Sequence, residues 1–279
     1  MPPALSLLQD IKQPRLMGIL NVTPDSFSDG GMFLDPDLAI QQGIMMIESG
    51  AAIIDLGGES TRPSSSETSA EEEIKRVMPM LRELIQRYPH ITYSIDTRHA
   101  ATAAAAIELG ATIVNDISAL QHDPQMAFLL AKHPQVQVIL MHMQGQPQTM
   151  QDAPFYTDLM GEIKDFFAQR IAFCTSVGIA TARLILDVGI GFGKTAQHNL
   201  QLLAQLDAFK ELGLPLVLGA SRKSFIDQYS PSSVQDRLAG SLAAALVSAM
   251  QGVEILRVHD VAEHRQFFAL LNAITGASL

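Results

Sequence analysis

Residues 92–116, TYSIDTRHAATAAAAIELGATIVND, hold one complete strand–helix–strand unit. The run Thr92-Tyr-Ser-Ile95 ends in Asp96, and residues 99–109 carry apolar side chains at helical spacing. Gly110 suits a left-handed helix stop, after which Thr112-Ile-Val114 runs into Asn115-Asp116. Short, mostly apolar runs of this kind fit parallel strands covered on both faces. In both strands the run ends in groups that can hold a ligand.

The pattern repeats outward in both directions. Runs at 15–20, 52–56, 184–186, 216–218 and 254–256 end respectively in Asn21, in the stretch 57–62, in Asp187, in 219–223 and in 257–260. The run 136–141 supplies one more strand, for eight in all. Residues 37–49, 70–88, 123–133, 156–177, 199–206, 234–250 and 261–274 show helical spacing between them. Ser69 and Glu72 form a capping-box signature, and Gly50, Gly178 and Gly213 follow helices as stops. The strand ends recur about every 34 residues along a chain of 279, which predicts a single domain over 1–279, a closed (β/α)8 barrel. The alternative, a doubly wound open sheet, gathers ligand groups at one switch point rather than at nearly every strand. The loops after the first and second strands, 21–36 and 57–69, are long and rich in Gly, Pro and Ser, and in a barrel they lie on the functional face.

Composition narrows the function. The net charge of −10 argues against nucleic acid or an anionic membrane surface as partner. No uncharged apolar stretch is long enough to span a bilayer, and the first 13 residues lack a signal-peptide layout, so a cytoplasmic location is expected. One cysteine, Cys174, excludes a disulfide framework and reads as a buried helix residue. Yet Arg62, Arg222, Lys223 and Arg257, four of the 19 basic residues, stand at strand ends. Cations gathered there in an acidic protein point to a small anionic ligand; the alternative is solvated loop charge.

Asp96 and Asp187 can accept N–H bonds from a heterocycle, and Asn115 adds a donor and an acceptor. Helix capping remains open for each, since each precedes a helix. The stretch Gly219-Ala-Ser-Arg-Lys-Ser224 joins two cations to two hydroxyls after strand seven, near where barrels bind phosphate. Arg257 and His259 share one side of strand eight and add a fork-shaped donor and an imidazole. Gly189-Ile-Gly-Phe-Gly-Lys194 fits neither nucleotide fingerprint well and reads as a tight turn with Phe192 as an apolar wall. Met141-His-Met143 offers a sulfur wall rather than a metal set. No HExxH, CxxC or Gly-x-Ser-x-Gly occurs, so zinc-hydrolase and nucleophilic-serine readings have no support.

These residues lie in motifs that resemble the dihydropteroate synthases of the pterin-binding enzyme family. Met17-Gly-Ile-Leu-Asn-Val-Thr-Pro-Asp-Ser-Phe-Ser-Asp-Gly-Gly31 is similar to the first family signature and Asp55-Leu-Gly-Gly-Glu-Ser-Thr-Arg-Pro63 to the second. Ser94-Ile-Asp-Thr97, Val114-Asn-Asp-Ile-Ser118 and the motifs beginning at Gly189, Gly219 and Arg257 continue the match in order. The resemblance implies a barrel enzyme of folate biosynthesis. It joins 7,8-dihydropterin-6-ylmethyl diphosphate to 4-aminobenzoate, releases pyrophosphate, and is a target of sulfonamide inhibitors. It implies that Asp96, Asn115, Asp187 and Lys223 hold the pterin, with Met141, Phe192 and Arg257 against its faces. Asn21, Thr61, Arg257 and His259 would hold the diphosphate, and Asn21 and Asp29 a Mg2+ on it. Phe27, Arg62, Pro63, Ser221 and Lys223 would frame the aminobenzoate. Lys223, Arg257, His259 and Asp96 would carry the chemistry, and the active form would be a homodimer. Two positions depart from the family pattern: Val188 where proline is common, and Asp227 where glycine is common.

Three other readings compete. A pterin-binding methyltransferase barrel has no diphosphate to expel and little need for Arg62, Ser221 or the Phe27 loop. A catalytically silent pterin-binding paralogue is disfavoured by the intact set above. A barrel aldolase needs a lysine within a strand for its Schiff base, and no predicted strand holds one.

Overall fold

The computed structural model describes residues 11–22, 36–60 and 67–276. Its eight strands are β1 (Arg15–Asn21), β2 (Ile53–Gly57), β3 (Thr92–Asp96), β4 (Ile113–Asp116), β5 (Gln137–Met141), β6 (Leu184–Asp187), β7 (Leu216–Leu218) and β8 (Ile255–Val258). They pair in chain order, all parallel, and β8 returns to β1 to close the barrel. This is the expected (β/α)8 architecture. Around it lie α1 (Pro36–Glu48), α2 (Ala70–Arg87), α3 (Ala100–Leu109), α4 (Pro124–Lys132), α5 (Leu159–Ser176), α6 (Ala196–Ala204), α7 (Ser224–Tyr229), α8 (Leu238–Met250) and α9 (Val261–Gly276).

Several boundaries differ from the expectation for local reasons. Residues 156–158 are not helical: Asp158 caps α5, accepting from Gly161 N, and the Tyr156 hydroxyl leaves to bond Gly193 O. The expected helix at 199–206 starts earlier, because Thr195 and His198 form a reciprocal capping box, and it ends before a separate 3-10 segment, Leu206–Leu212. The expected box at Ser69 is only half made: Ser69 accepts from Glu72 N, while the Glu72 carboxylate turns to Arg76. The segment 234–250 is broken into a 3-10 turn and α8, and α7 is an additional short helix. The glycine stop after α3 is as expected, with Gly110 at φ 120°.

Two cores follow from strand alternation. The outer faces pack against the helices, from Leu16 and Leu20 through Tyr93 and Ile95 to Leu256 and Val258. The inner one is a separate layer of Met17, Ile53, Ile113, Ile139, Ile185, Val217 and Ile255, from seven of the eight strands. On β3, where Tyr93 and Ile95 face outward, the inward positions fall to Thr92, Ser94 and Asp96. The inner aliphatic layer closes the barrel as a floor.

Candidate active site at the barrel mouth

Two residues beyond that floor, six of the eight strands present their next inward side chain at the mouth. The step from Ile53 gives Asp55, from Ser94 Asp96, from Ile113 Asn115, from Ile139 Met141, from Ile185 Asp187 and from Ile255 Arg257. An apolar floor thus carries a polar tier at the C-terminal ends of the strands, the end where such barrels place their chemistry.

Arg257 organises one side of this tier. Its Nε donates to Asp55 Oδ2 at 2.6 Å and its Nη2 to Asp96 Oδ2 at 2.7 Å. Asn115 Nδ2 donates to the same Asp55 oxygen at 3.0 Å. Asp55 is wholly buried, and its other oxygen has no partner among the described residues. Burial works against the Arg257 charge, but Asp55 and Asp96 outweigh it and hold the guanidinium pKa above its ordinary value. The Asp96 pKa also moves up, for a different reason: burial raises it, Arg257 opposes, and Asp55 adds to the rise.

The opposite side is built from β5, β6 and β7. Asp187 Oδ1 accepts from Gly189 N at 2.8 Å, which ties the carboxylate to its own turn. Burial raises the Asp187 pKa against that bond and the pull of Lys223. Lys223 Nζ lies 4.1 Å from the centre of the Phe192 ring, a cation–π contact. Burial and Arg257 lower its pKa to about 8. Lys194, almost wholly buried, is lowered to about 7 by burial, with Asp187 opposing. Its ammonium meets His142 Nδ1 at 3.0 Å and the carbonyl oxygens of Phe192 and His142 at 3.0 and 3.3 Å. Met141 is buried at the end of β5.

Between the two sides, β7 and β8 carry the hydroxyl and the imidazole. Ser221 Oγ accepts from His259 N at 3.3 Å and lies 3.1 Å from His259 Nδ1. Burial and Arg257 push the His259 pKa down to about 3, so the ring is neutral near pH 7. Arg222, left-handed at φ 58°, turns its guanidinium onto Asp260 rather than into the mouth. On β1, Asn21 is half-buried, and a Cβ on Gly57 would sit 3.5 Å from its Oδ1, which places that oxygen over the end of β2. A cavity of about 370 Å³ opens beside Met141, lined by Ile117, Met143, Phe166, Arg98, His122 and others, displaced from Lys223 toward β4 and β5.

The family model described as pterin binding enzyme matches residues 17–259. The chain belongs to the pterin-binding enzyme family. The dihydropteroate synthase of Escherichia coli K12 is 46% identical over 268 residues, 96% of this chain and 94% of that one. The structure of Yersinia pestis dihydropteroate synthase with a sulfonamide drug complex superposes with a TM-score of 0.89 at 46% identity, covering 96% of each chain. That of the Xanthomonas albilineans enzyme in complex with 7,8-dihydropteroate gives a TM-score of 0.85 at 38% identity, also 96% of each.

For a pterin-binding enzyme, the structure gathers Asp96, Asn115, Met141, Asp187, Phe192, Lys223, Ser221, Arg257 and His259 at one mouth, with Asn21 on its rim. Phe27, Asp29, Thr61, Arg62 and Pro63 lie outside the described residues. Among the described residues Asp116 serves its own turn, where its oxygens accept from Ser118 and Leu120 after β4. Sequence reasoning gives no role to Asp55 and Lys194. Asp55 is visible as a charge inside an otherwise apolar strand, a placement that demands a partner. A third omission is Arg98, whose Nη2 and Nε form a buried fork with Glu59 Oε1 and Oε2 at 2.8 and 3.2 Å and so tie the start of the loop after β2 to the loop after β3. Of the two departures, Val188 is buried and Asp227 accepts from Ser232 N at 2.8 Å.

Proposed function

We propose the following division of labour for the mouth. The activity is that of a dihydropteroate synthase: the chain is a transferase that joins 7,8-dihydropterin-6-ylmethyl diphosphate to 4-aminobenzoate and yields 7,8-dihydropteroate and pyrophosphate. The observation that carries the residue roles is the polar tier above the aliphatic floor. Asp96, Asn115 and Asp187 take the N–H and ring-nitrogen edge of the pterin, and Lys223 its carbonyl. Met141 and Phe192 lie against the ring faces. Arg257 serves twice. In the empty mouth it neutralises Asp96; with substrate bound it turns toward the ring and the departing diphosphate. His259, neutral near pH 7, donates to the diphosphate without adding charge, and Asn21 and Thr61 join it. Phe27, Arg62, Pro63, Ser221 and Lys223 frame the aminobenzoate.

The carbon–oxygen bond to the diphosphate breaks as the aminobenzoate nitrogen bonds the same methylene carbon, and that nitrogen then loses its proton. The amine is already a nucleophile, so the protein's work is to orient it, exclude water and stabilise the negative charge that leaves. A Mg2+ carried by the diphosphate fits what is present. Asn21 offers one hard oxygen at the rim, and phosphate-borne magnesium takes only one or two protein ligands. Asn21 and Asp29 would hold it, and it would neutralise the leaving group. The histidine-rich trio Glu67, His99 and His122 is a poorer match for such a hard ion.

We place the chain, as one pterin-binding domain over 1–279, in the cytoplasm as a homodimer. The exposed Val247 and Met250 on α8 and Leu270 and Ile274 on α9 support the dimer, and sedimentation equilibrium tests it. Among the described residues no helix is long and apolar enough to cross a membrane. The roles are tested by pyrophosphate release from the two substrates, with and without Mg2+, in Asp96→Asn, Asp187→Asn and His259→Ala. Turnover should fall in each variant and stop in excess EDTA. Wild-type rates in all three, or full turnover in EDTA, overturn the assignment.

A further inference from the structure

Lys194 is a buried cation that the scheme above leaves unused. Among the described residues it makes no ion pair; the nearby Asp187 acts on it only at longer range. All three of its hydrogen-bond partners belong to two adjoining segments: the Phe192 carbonyl on the loop after β6, and the His142 carbonyl and ring nitrogen just beyond β5. The two segments meet backbone to backbone. A Cβ on Gly189 would run into the His142 carbonyl, and one on Gly193 into the Gln144 carbonyl. The same loop is held from outside by Tyr156 Oη on Gly193 O at 2.9 Å, and by Asn199 Oδ1 accepting from Gly191 N at 2.8 Å. Phe192 sits at the centre of these restraints, and its ring carries the ammonium of Lys223.

An ammonium this deep costs free energy that an apolar side chain of the same length would not. What a lysine adds is directed donors, and here one goes to the carbonyl of Phe192, whose ring walls the site, and two to His142 on the adjoining segment. We propose that Lys194 is a positioning residue for the pterin. By holding the Phe192 and His142 carbonyls together it sets the plane of the Phe192 ring, and with it the seat of Lys223. The inference rests on the reading that Phe192 and Lys223 face the pterin.

The test is calorimetric binding of the non-reactive 6-hydroxymethylpterin to the full-length protein, with steady-state kinetics for both substrates. Lys194→Met keeps the bulk and removes the donors. It should weaken pterin binding about tenfold, the size of one lost hydrogen bond to a charged group. KM for 4-aminobenzoate, whose site shares only Lys223 with that of the pterin, should rise by less than the pterin affinity falls, a split that general loosening of the fold would not produce. Phe192→Ala should also weaken the pterin, and the double variant should bind no worse than Phe192→Ala alone, because one residue acts through the other. Lys194→Gln, which keeps a donor, should recover part of the loss and serves in place of Lys194→Met if that variant does not fold. Wild-type pterin affinity in Lys194→Met, or additive losses in the double variant, overturn the inference. Unchanged pterin affinity in Phe192→Ala overturns the underlying reading of the site instead.

Discussion

The two sides of the barrel mouth treat buried charge in opposite ways. Around β2, β3 and β8, Arg257 lies within 2.7 Å of two carboxylates, and its pKa is driven up. Around β6 and β7, Lys194 and Lys223 share the influence of Asp187 without an ion pair among the described residues, and both pKa values are driven down. Among the described residues the mouth therefore sets three carboxylates, Asp55, Asp96 and Asp187, against Arg257, Lys194 and Lys223, unevenly divided. On the first side the one cation is fully paired before any ligand arrives, and its interactions fix orientation. The second sets two lysines against one carboxylate and leaves both without an ion pair among the described residues. What a buried cation does is decided by the geometry of its partners more than by its identity.

The sharpest way to break this contrast is to remove Arg257. Arg257→Met leaves Asp55 buried and unpaired, and breaking a buried pair typically costs about 3–5 kcal/mol. Urea denaturation near pH 7 should show a loss of that order, together with loss of pyrophosphate release. The variant's deficit should shrink on acidification. Burial already raises the Asp96 pKa against the pull of Arg257, and losing that pull raises it further, so its contribution is favourable at low pH and is lost as pH rises through the folded pKa. A deficit independent of pH would mean that Asp96 does not depend on Arg257 for its charge.

Next in size are the carboxylates themselves. Asp96→Asn and Asp187→Asn should each weaken binding of a non-reactive pterin by roughly tenfold to a hundredfold, from charged hydrogen bonds worth about 1.5–3 kcal/mol. Asp96→Asn should also lower stability, because Arg257 loses one of its two charged acceptors. Asp187→Asn should lower it less, since its bond is to the local turn. Equal stability losses in the two variants would erase the distinction between the sides.

The lysine side has its own signature in alkali. Lys223 has a folded pKa of about 8 against an ordinary value of 10.5. Between those values the folded state has shed a proton that the unfolded state keeps, so stability rises with pH. Lys223→Met should make that rise shallower in denaturation curves collected from about pH 8 to 10, leaving the share contributed by Lys194, whose pKa is lowered to about 7. The Arg257 side contributes nothing there, because its guanidinium stays charged. A wild-type curve already flat over this range would show that Lys223 is not depressed.

Ser221→Ala should give the smallest effect. It removes the acceptor for His259 N and the partner of His259 Nδ1, a loss of about 0.5–1.5 kcal/mol. Pyrophosphate release should fall by less than about tenfold, from a looser imidazole. A loss as large as that of Arg257→Met would make Ser221 more than a support for the ring.

Reading from sequence succeeds where the signal is local. Each strand run is short and apolar and ends in polar residues, and every one is a barrel strand shifted by at most a residue or two. Helix ends are less legible, because they turn on single side chains. Thr195 and His198 start α6 early, while Asp158 delays α5 until Tyr156 has left for Gly193. The residues of the site are legible as strand ends, but their partners are not. Asp96 and Asp116 look alike in sequence, each a carboxylate closing a strand. One meets Arg257 and the other its own turn. Local capping, the alternative open for Asp96, Asn115 and Asp187, holds only in part for Asp187, whose carboxylate accepts from Gly189 N.

The sequence alone determined the alternation of strand and helix, the eightfold repeat and the set of polar residues at the strand ends. These follow from periodicity and chain stiffness within some tens of residues. Only the tertiary structure decided which charges meet. Arg257 and Asp55 are 202 positions apart in the chain and come within 2.6 Å because β8 pairs with β1 in one register. In that register Met17 stands opposite Arg257, and Met17 also stands opposite Ile53, so one closure sets the heights of β8 and β2 together. A slip of one residue at the closure would turn the Arg257 side chain away from the mouth, because successive side chains on a strand face opposite sides. The pairing of charges is therefore a property of the closed barrel, carried by hydrogen bonds between strands that no local stretch of sequence specifies.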